Sequence, residues 1–163
     1  MIGEKMQDAL NGQIQSELSS AYLYLAMAAH CGAKNLKGAA HWLRLQNKEE
    51  TEHALKLLGH LVERGGRPSL GAIDAPPADF GSLGQVFEAV LDHERRVTAE
   101  IHKLYELALS EKDYAAQVFL QWFVNEQVEE EARASEILER LRYAKESPAS
   151  VLYLDKELGK RQA

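Results

Sequence analysis

Cysteine is nearly missing from this sequence. Cys31 stands alone, so an intramolecular disulfide is excluded and a reducing compartment is the expected setting. Proline is scarce: of four, Pro68, Pro76 and Pro77 lie close together, and the long stretches on either side are free to be helical. No apolar run reaches the roughly 18 residues that suggest a membrane span. No apolar segment with a basic flank opens the chain, so the cytoplasm is the expected location and no membrane partner is expected. Positive charge is short as well. With 19 Lys and Arg against 25 Asp and Glu, the net charge is −6. That argues against nucleic acid as a partner and fits either cations or simple solubility.

What the sequence has in abundance is helical periodicity. Its 163 residues suffice for one domain with a sizeable core, and the expectation is an all-α fold over 1–163, with a bundle over about 3–143 and a short C-terminal helix over about 148–158. A first helix is predicted from Gly3 to His30, with its apolar stripe on Met6, Leu10, Gln13, Glu17, Ala21, Tyr24 and Ala28. Gly32 would stop it, and Asn35 would cap a second helix from Leu36 to Glu63, striped by Ala39, Leu43, Gln46, Glu50, His53, Leu57 and Leu61. Ser82 would cap a third helix reaching Leu109, with Leu83, Phe87, Val90, Glu94, Val97, Ile101 and Ala108 inward. Asp113 would cap a fourth reaching Tyr143, with Ala116, Leu120, Phe123, Gln127, Glu130, Ala134, Ile137 and Leu141 inward.

Between the second and third helices lies a Gly/Pro/Asp-rich segment too long for a tight helix hairpin. A helix of about 28 residues is about 42 Å long, and about 16 extended residues can cross that length. The segment therefore reads as an ordered crossover that makes the second and third helices parallel, packed through Leu70, Ile73 and Phe80; the alternative is a loose surface loop. Ser147-Pro148 starts the short helix and Gly159 lies past its end. Its Val151, Leu152, Leu154 and Leu158 are apolar around much of the circumference. They read as a contact between subunits, since four helices already close a bundle, or else as a lid on the same subunit.

All four stripes are broken by polar residues at matching places. Displaced by 77 positions, Glu17 falls on Glu94, Glu49 on Glu126, Glu50 on Gln127, Glu52 on Glu129 and His53 on Glu130. One polar residue on a core stripe is ordinarily satisfied by a neighbour's hydrogen bond. Glu17, Glu50, Glu94 and Glu130 together would put four carboxylates in a bundle centre, each costing several kcal/mol unless paired, protonated or metal-bound. No Lys or Arg lies on these stripes within about two turns, so a pair of divalent ions is the expected counter-charge. Glu50 and His53, three apart on one helix, can reach a single point. Carboxylates with one imidazole suit iron(II) or manganese. One ion is assigned to Glu17, Glu50 and His53, the other to Glu94, Glu130 and a shared Glu50.

These residues carry a family resemblance. Glu17, the NKEETEH segment around Glu50 and His53, Glu94, and FLQWFVNEQVEEE from Phe119 to Glu131 resemble the bacterial non-haem ferritins over nearly the whole chain. The resemblance implies a ferritin-like four-helix bundle with one long crossover and a short fifth helix, self-associated into a 24-subunit shell. It implies iron(II) oxidation by dioxygen or peroxide at an intrasubunit di-iron centre, and ferric mineral stored inside. The first iron site would be Glu17, Glu50 and His53; the second Glu50, Glu94 and Glu130, with Gln127 close by. A third, accessory iron site would use Glu49, Glu126 and Glu129 and share Glu130; taken alone these three read as a solvated helix face. Tyr24 would give up an electron during oxygen reduction, while Trp122 reads as a core or interface aromatic. Bacterioferritins carry a second Glu-x-x-His where this chain has Gln127 and Glu130, and a haem-binding methionine where it has Thr51, so no haem is expected. The competing readings are a di-iron or di-manganese peroxidase or oxygenase of the same bundle class, and a purely structural bundle.

Overall fold

A computed structural model describes residues 1–145 and 147–162. Its helices are α1 (Glu4–Ala33), α2 (Lys37–Glu63), α3 (Leu83–Ser110), α4 (Tyr114–Tyr143) and α5 (Pro148–Leu158). Every residue of the four predicted stripes is buried, because recurrence at threes and fours keeps one face of each helix towards the others. Short connections make α1–α2 and α3–α4 antiparallel hairpins.

The ends of the helices follow from local chemistry. At the start of α3, Ser82 accepts from the Gln85 N–H while the Gln85 side chain accepts from the Ser82 N–H, a reciprocal capping box. Asp113 caps α4 through the Ala116 N–H, and Ser147 caps α5 with Pro148 in the first turn. The α1–α2 junction departs from the prediction. Gly32 lies inside α1, and Asn35 does not cap α2 but takes a left-handed conformation, φ 60°. Its N–H donates to the Gly32 carbonyl and that of Leu36 to the Cys31 carbonyl, which closes α1. The cap for α2 comes from far along the chain: Asp155 of α5 accepts from the Ala39 N–H at 2.8 Å.

That bond is possible because α5 lies almost on the backbone of α2. A Cβ on Gly38 would stand 1.7 Å from the Asp155 carbonyl oxygen. Leu154 and Leu158 are buried in the core beside Trp42 and Leu83. The short helix thus has its own chain to bury against, contrary to the argument that four helices leave it nothing. Only one flank, Leu152 and Tyr153 at 64% and 68% exposure, faces outward.

Residues 64–82 form the crossover. One end lies beside the start of α1, where the Ile2 N–H donates to the Arg64 carbonyl; the other lies at the end of α1, where His30 and Lys34 both bond the Gly81 carbonyl. The segment therefore travels the length of the bundle, and α2 and α3 run parallel as predicted. What orders it is different from the prediction. Leu70 and Ile73 are exposed and Phe80 alone of the three packs against the core. The segment is held instead by amides at every fourth position of α1. Gln7 accepts from the Arg67 N–H, Asn11 bonds Arg67 and Ser69, and Gln15 bonds Gly71 and Ala72. Each satisfies main-chain groups that have no helix to serve them.

The core divides into two apolar clusters. One runs from Tyr24 and Met27 through Phe87 to Leu141 and α5; the other gathers Met6, Leu10, Leu57, Leu61, Ile101, Leu120 and Phe123. The polar breaks in the stripes lie between them.

Candidate metal centre

Each long helix contributes to the polar layer: α1 gives Gln13, Glu17 and Tyr24, α2 gives Gln46, Glu50 and His53, α3 gives Glu94, and α4 gives Gln127 and Glu130. All are buried. One ligand atom from each of Glu17, Glu50 and His53 lies within 4.8 Å of the others, and among the described residues this is the one His/Cys/Asp/Glu set that closes so tightly. His53 Nδ1 stands 3.3 Å from Glu50 Oε2 and 4.0 Å from Glu17 Oε2. Glu17 Oε1 accepts from Gln13 at 2.8 Å. Its Oε2 has no hydrogen-bond partner among the described residues although it is buried. A buried carboxylate oxygen without a donor is costly; a proton shared with Glu50, or a cation, satisfies it.

Glu94 and Glu130 are more fully provided for. Glu94 Oε1 accepts from the Tyr24 hydroxyl and Oε2 from Gln127 Nε2 at 3.2 Å. Glu130 Oε2 accepts from Gln46 at 2.6 Å and Oε1 from Arg133 at 2.9 Å. The second predicted ligand trio, Glu50, Glu94 and Glu130, is thus in place around the layer without closing on a point.

Burial is the first cause of every titration shift here. It raises Glu17, with Glu50 adding to the effect, and raises Glu50, with Glu94 adding to it. It raises Glu94 against the pull of its bonds from Tyr24 and Gln127. Glu130 is pushed up to about 7 by burial and then by Glu94, although Arg133 pulls the other way. Tyr24 is driven well above its ordinary value by burial and by Glu94, so its phenol stays protonated. Burial thus favours the protonated form of all four carboxyls, and a cation binding to such groups releases protons.

No Lys or Arg stands on the core stripes near the layer, but the layer is reached from beside them by Arg133. It sits one turn beyond Glu130 on α4, off the core stripe but close enough to pair with it. The accessory set does not stand open either. Arg133 also pairs with Glu129 at 2.9 Å and approaches Glu126 at 4.0 Å, while Arg161, beyond α5, pairs with Glu49. The helical spacing of Glu129, Glu130 and Arg133 was readable in the sequence; the return of Arg161 to α2 was not. Gln13 and Gln46 stand on the predicted stripes, but their bonds to Glu17 and Glu130 had no sequence signal. Trp122 is 37% exposed and meets His53 edge-on at 5.4 Å, with Lys56 Nζ 3.7 Å over its ring. His93, half-buried, meets Tyr24 edge-on and bonds Ser20.

The fold and site define a helix bundle with a buried carboxylate–histidine centre. The model of the Ferritin-like domain family matches residues 7–144, and the chain belongs to that family. It is 40% identical over 161 residues to a bacterial non-heme ferritin of Bacteroides fragilis, covering 99% of this chain and 100% of that protein. It is 39% identical over 162 residues to one of Staphylococcus aureus, covering 99% and 97%. Among solved structures, an open pore ferritin of the archaeon Archaeoglobus fulgidus superposes with a TM-score of 0.98 at 50% identity, covering 99% of this chain and 100% of that one.

Proposed function

We propose that this chain is an iron-storage subunit with ferroxidase activity: it takes up iron(II), oxidises it with dioxygen or peroxide at the buried centre, and passes the ferric product into the cavity of a 24-subunit shell. The observation that carries the reading is the Glu17–Glu50–His53 group, closed to 4.8 Å and holding an orphaned carboxylate oxygen. That donor set fits a hard to borderline divalent ion such as iron(II). The first iron is assigned to these three residues and the second to Glu50, Glu94 and Glu130, with Glu50 shared.

The chain's residues have distinct work. Glu17 and Glu50 give up the protons they hold as iron(II) enters, and the charge of the ions replaces them. Two irons supply two electrons, enough to reduce dioxygen to peroxide with two protons. Full reduction to water takes four electrons and four protons; Tyr24, protonated and bonded to Glu94, supplies the third electron while its proton passes to that carboxylate, and a further iron(II) arriving at the centre supplies the fourth. Gln127 holds Glu94 and, being a neutral amide, binds a ferric ion more weakly than a carboxylate would. The product therefore leaves, and Gln127→Glu should retain iron at the centre. No helix of the described residues is long and apolar enough to cross a membrane.

Size-exclusion chromatography before and after aerobic iron(II) loading tests the proposal. A particle roughly 24 times the 18.2 kDa of one chain that gains hundreds of irons is expected. A small oligomer that keeps two metals and gains no more would contradict it and favour the peroxidase or oxygenase reading.

A further inference from the structure

Glu49, Glu126, Glu129 and Glu130 are the four acids that would hold an accessory cation. Arg133 places Nη1 2.9 Å from Glu130 Oε1 and 4.0 Å from Glu126 Oε1, and Nη2 2.9 Å from Glu129 Oε2. Arg161 places Nη2 on Glu49 Oε2 and Nη1 2.6 Å from Gln46 Oε1. Its guanidinium also lies 4.6 Å from the centroid of the Trp42 ring, and its carbonyl accepts from His41 Nε2 at 2.9 Å. All four acids thus face a guanidinium.

We infer that Arg133 and Arg161 are the resident cations of this accessory cluster, so that each subunit takes two irons at its centre and no third beside it. The inference rests on the ferroxidase reading of that centre. Three features carry it. First, two guanidinium groups bring the same charge, +2, that one divalent ion would bring; an ion entering beside them meets repulsion, and one replacing them must break ion pairs with every acid in the set. Second, arginine does not lose its proton at any working pH, so the two cations stay in place where a neutral histidine would not. Third, the cluster is tied to the centre in one orientation. Arg161 can only donate, so it fixes the carbonyl of the Gln46 amide towards itself and the NH2 group towards Glu130. With Arg133 on the other oxygen, Glu130 is held from both sides. Arg133 and Arg161 are accordingly positioning residues for Glu130 as well as counter-ions for Glu49, Glu126 and Glu129.

The test is an anaerobic iron(II) titration of the assembled, metal-free protein by calorimetry, with dialysis to count bound iron per subunit. Two are expected for the wild type. Arg133→Ser frees the oxygens of Glu126, Glu129 and Glu130 and should raise the count to three even with Arg161 in place. Arg133→Lys keeps a cation there and should leave it at two, and Arg133→Ser with Glu126→Gln should return it to two. Glu126→Gln alone, with both arginines intact, should also leave two, which serves if Arg133→Ser fails to assemble. A wild type that binds three and loses one on Glu126→Gln overturns the inference, as does a folded Arg133→Ser that stays at two. A wild type that binds no iron, or a Glu50→Ala variant that binds as much as the wild type, instead sinks the ferroxidase reading and the inference with it.

Discussion

Stripped of metal, the subunit should become more stable on mild acidification, the reverse of the usual expectation for an acidic protein. A carboxyl whose pKa is raised by folding keeps its proton where the unfolded chain has lost it. Its contribution is fully present below the unfolded value and lost as pH rises through the folded one. Glu17, Glu50 and Glu94 are shifted upward, and Glu130 moves from 4.5 to about 7. Two histidines oppose this at lower pH: His93 is depressed to about 4 by burial and Arg96, and His60 is lowered by burial and Arg64. Both stay neutral in the native state between pH 6.5 and 8, and against an ordinary value of about 6.5 each takes back at most about 0.4 kcal/mol at the acid end of that window. Across it Glu130 alone contributes about 0.8 kcal/mol. Any carboxyl that stays protonated in the native state throughout adds about 1.4 kcal/mol per pH unit. At about 2–4 °C per kcal/mol for a chain of this size, the midpoint of the metal-free protein should rise by several degrees from pH 8 to 6.5. Zinc(II), bound without redox chemistry, should show the opposite trend, stabilising more at pH 8 because protons no longer compete. Scanning calorimetry of chelator-treated and zinc-loaded protein measures both. A metal-free midpoint that is flat or falls on acidification would refute the argument that buried, protonated carboxyls fill the empty centre.

Three further outcomes follow from named contacts. Glu50→Ala removes the shared ligand; because loss of a mere outer partner costs 10–100-fold at metal sites, rapid iron oxidation should fall by about 100-fold or more in stopped-flow absorbance, with the shell still assembled. Tyr24→Phe deletes the hydroxyl bonded to Glu94 and should slow oxidation by about tenfold, about 1.4 kcal/mol on the barrier, while anaerobic iron binding persists; an unchanged rate would rule out the electron-donor role. Gly38→Ala puts a methyl group into the Asp155 carbonyl. It should destabilise by about 1–3 kcal/mol and speed amide exchange over residues 148–158, and normal protection there would show that the close approach does not hold α5.

The bundle was legible because its signal is periodic. Four stripes at helical spacing located the four long helices, and the shared break at Glu17, Glu50–His53, Glu94 and Gln127–Glu130 located the polar layer. The parts that escaped involve groups with no period. Asn35 looked like a cap, yet its tolerance of positive φ suited it to closing α1, and the cap for α2 came from Asp155, 116 positions away. Gln7, Asn11 and Gln15 share a helix face that reads as solvated; their partners are main-chain groups of an irregular segment, which no side-chain pattern records. Leu70 and Ile73 misled for a related reason, since apolar character does not say whether a segment packs or is clamped. Arg161 escaped because it returns to α2 only once α5 has docked.

The most direct measurement is anomalous diffraction at the iron edge from crystals soaked in iron(II) without oxygen. Two peaks are expected within the bundle, one among Glu17, Glu50 and His53 and one among Glu50, Glu94 and Glu130. Peaks confined to the protein surface, with that layer left without metal, would contradict the account.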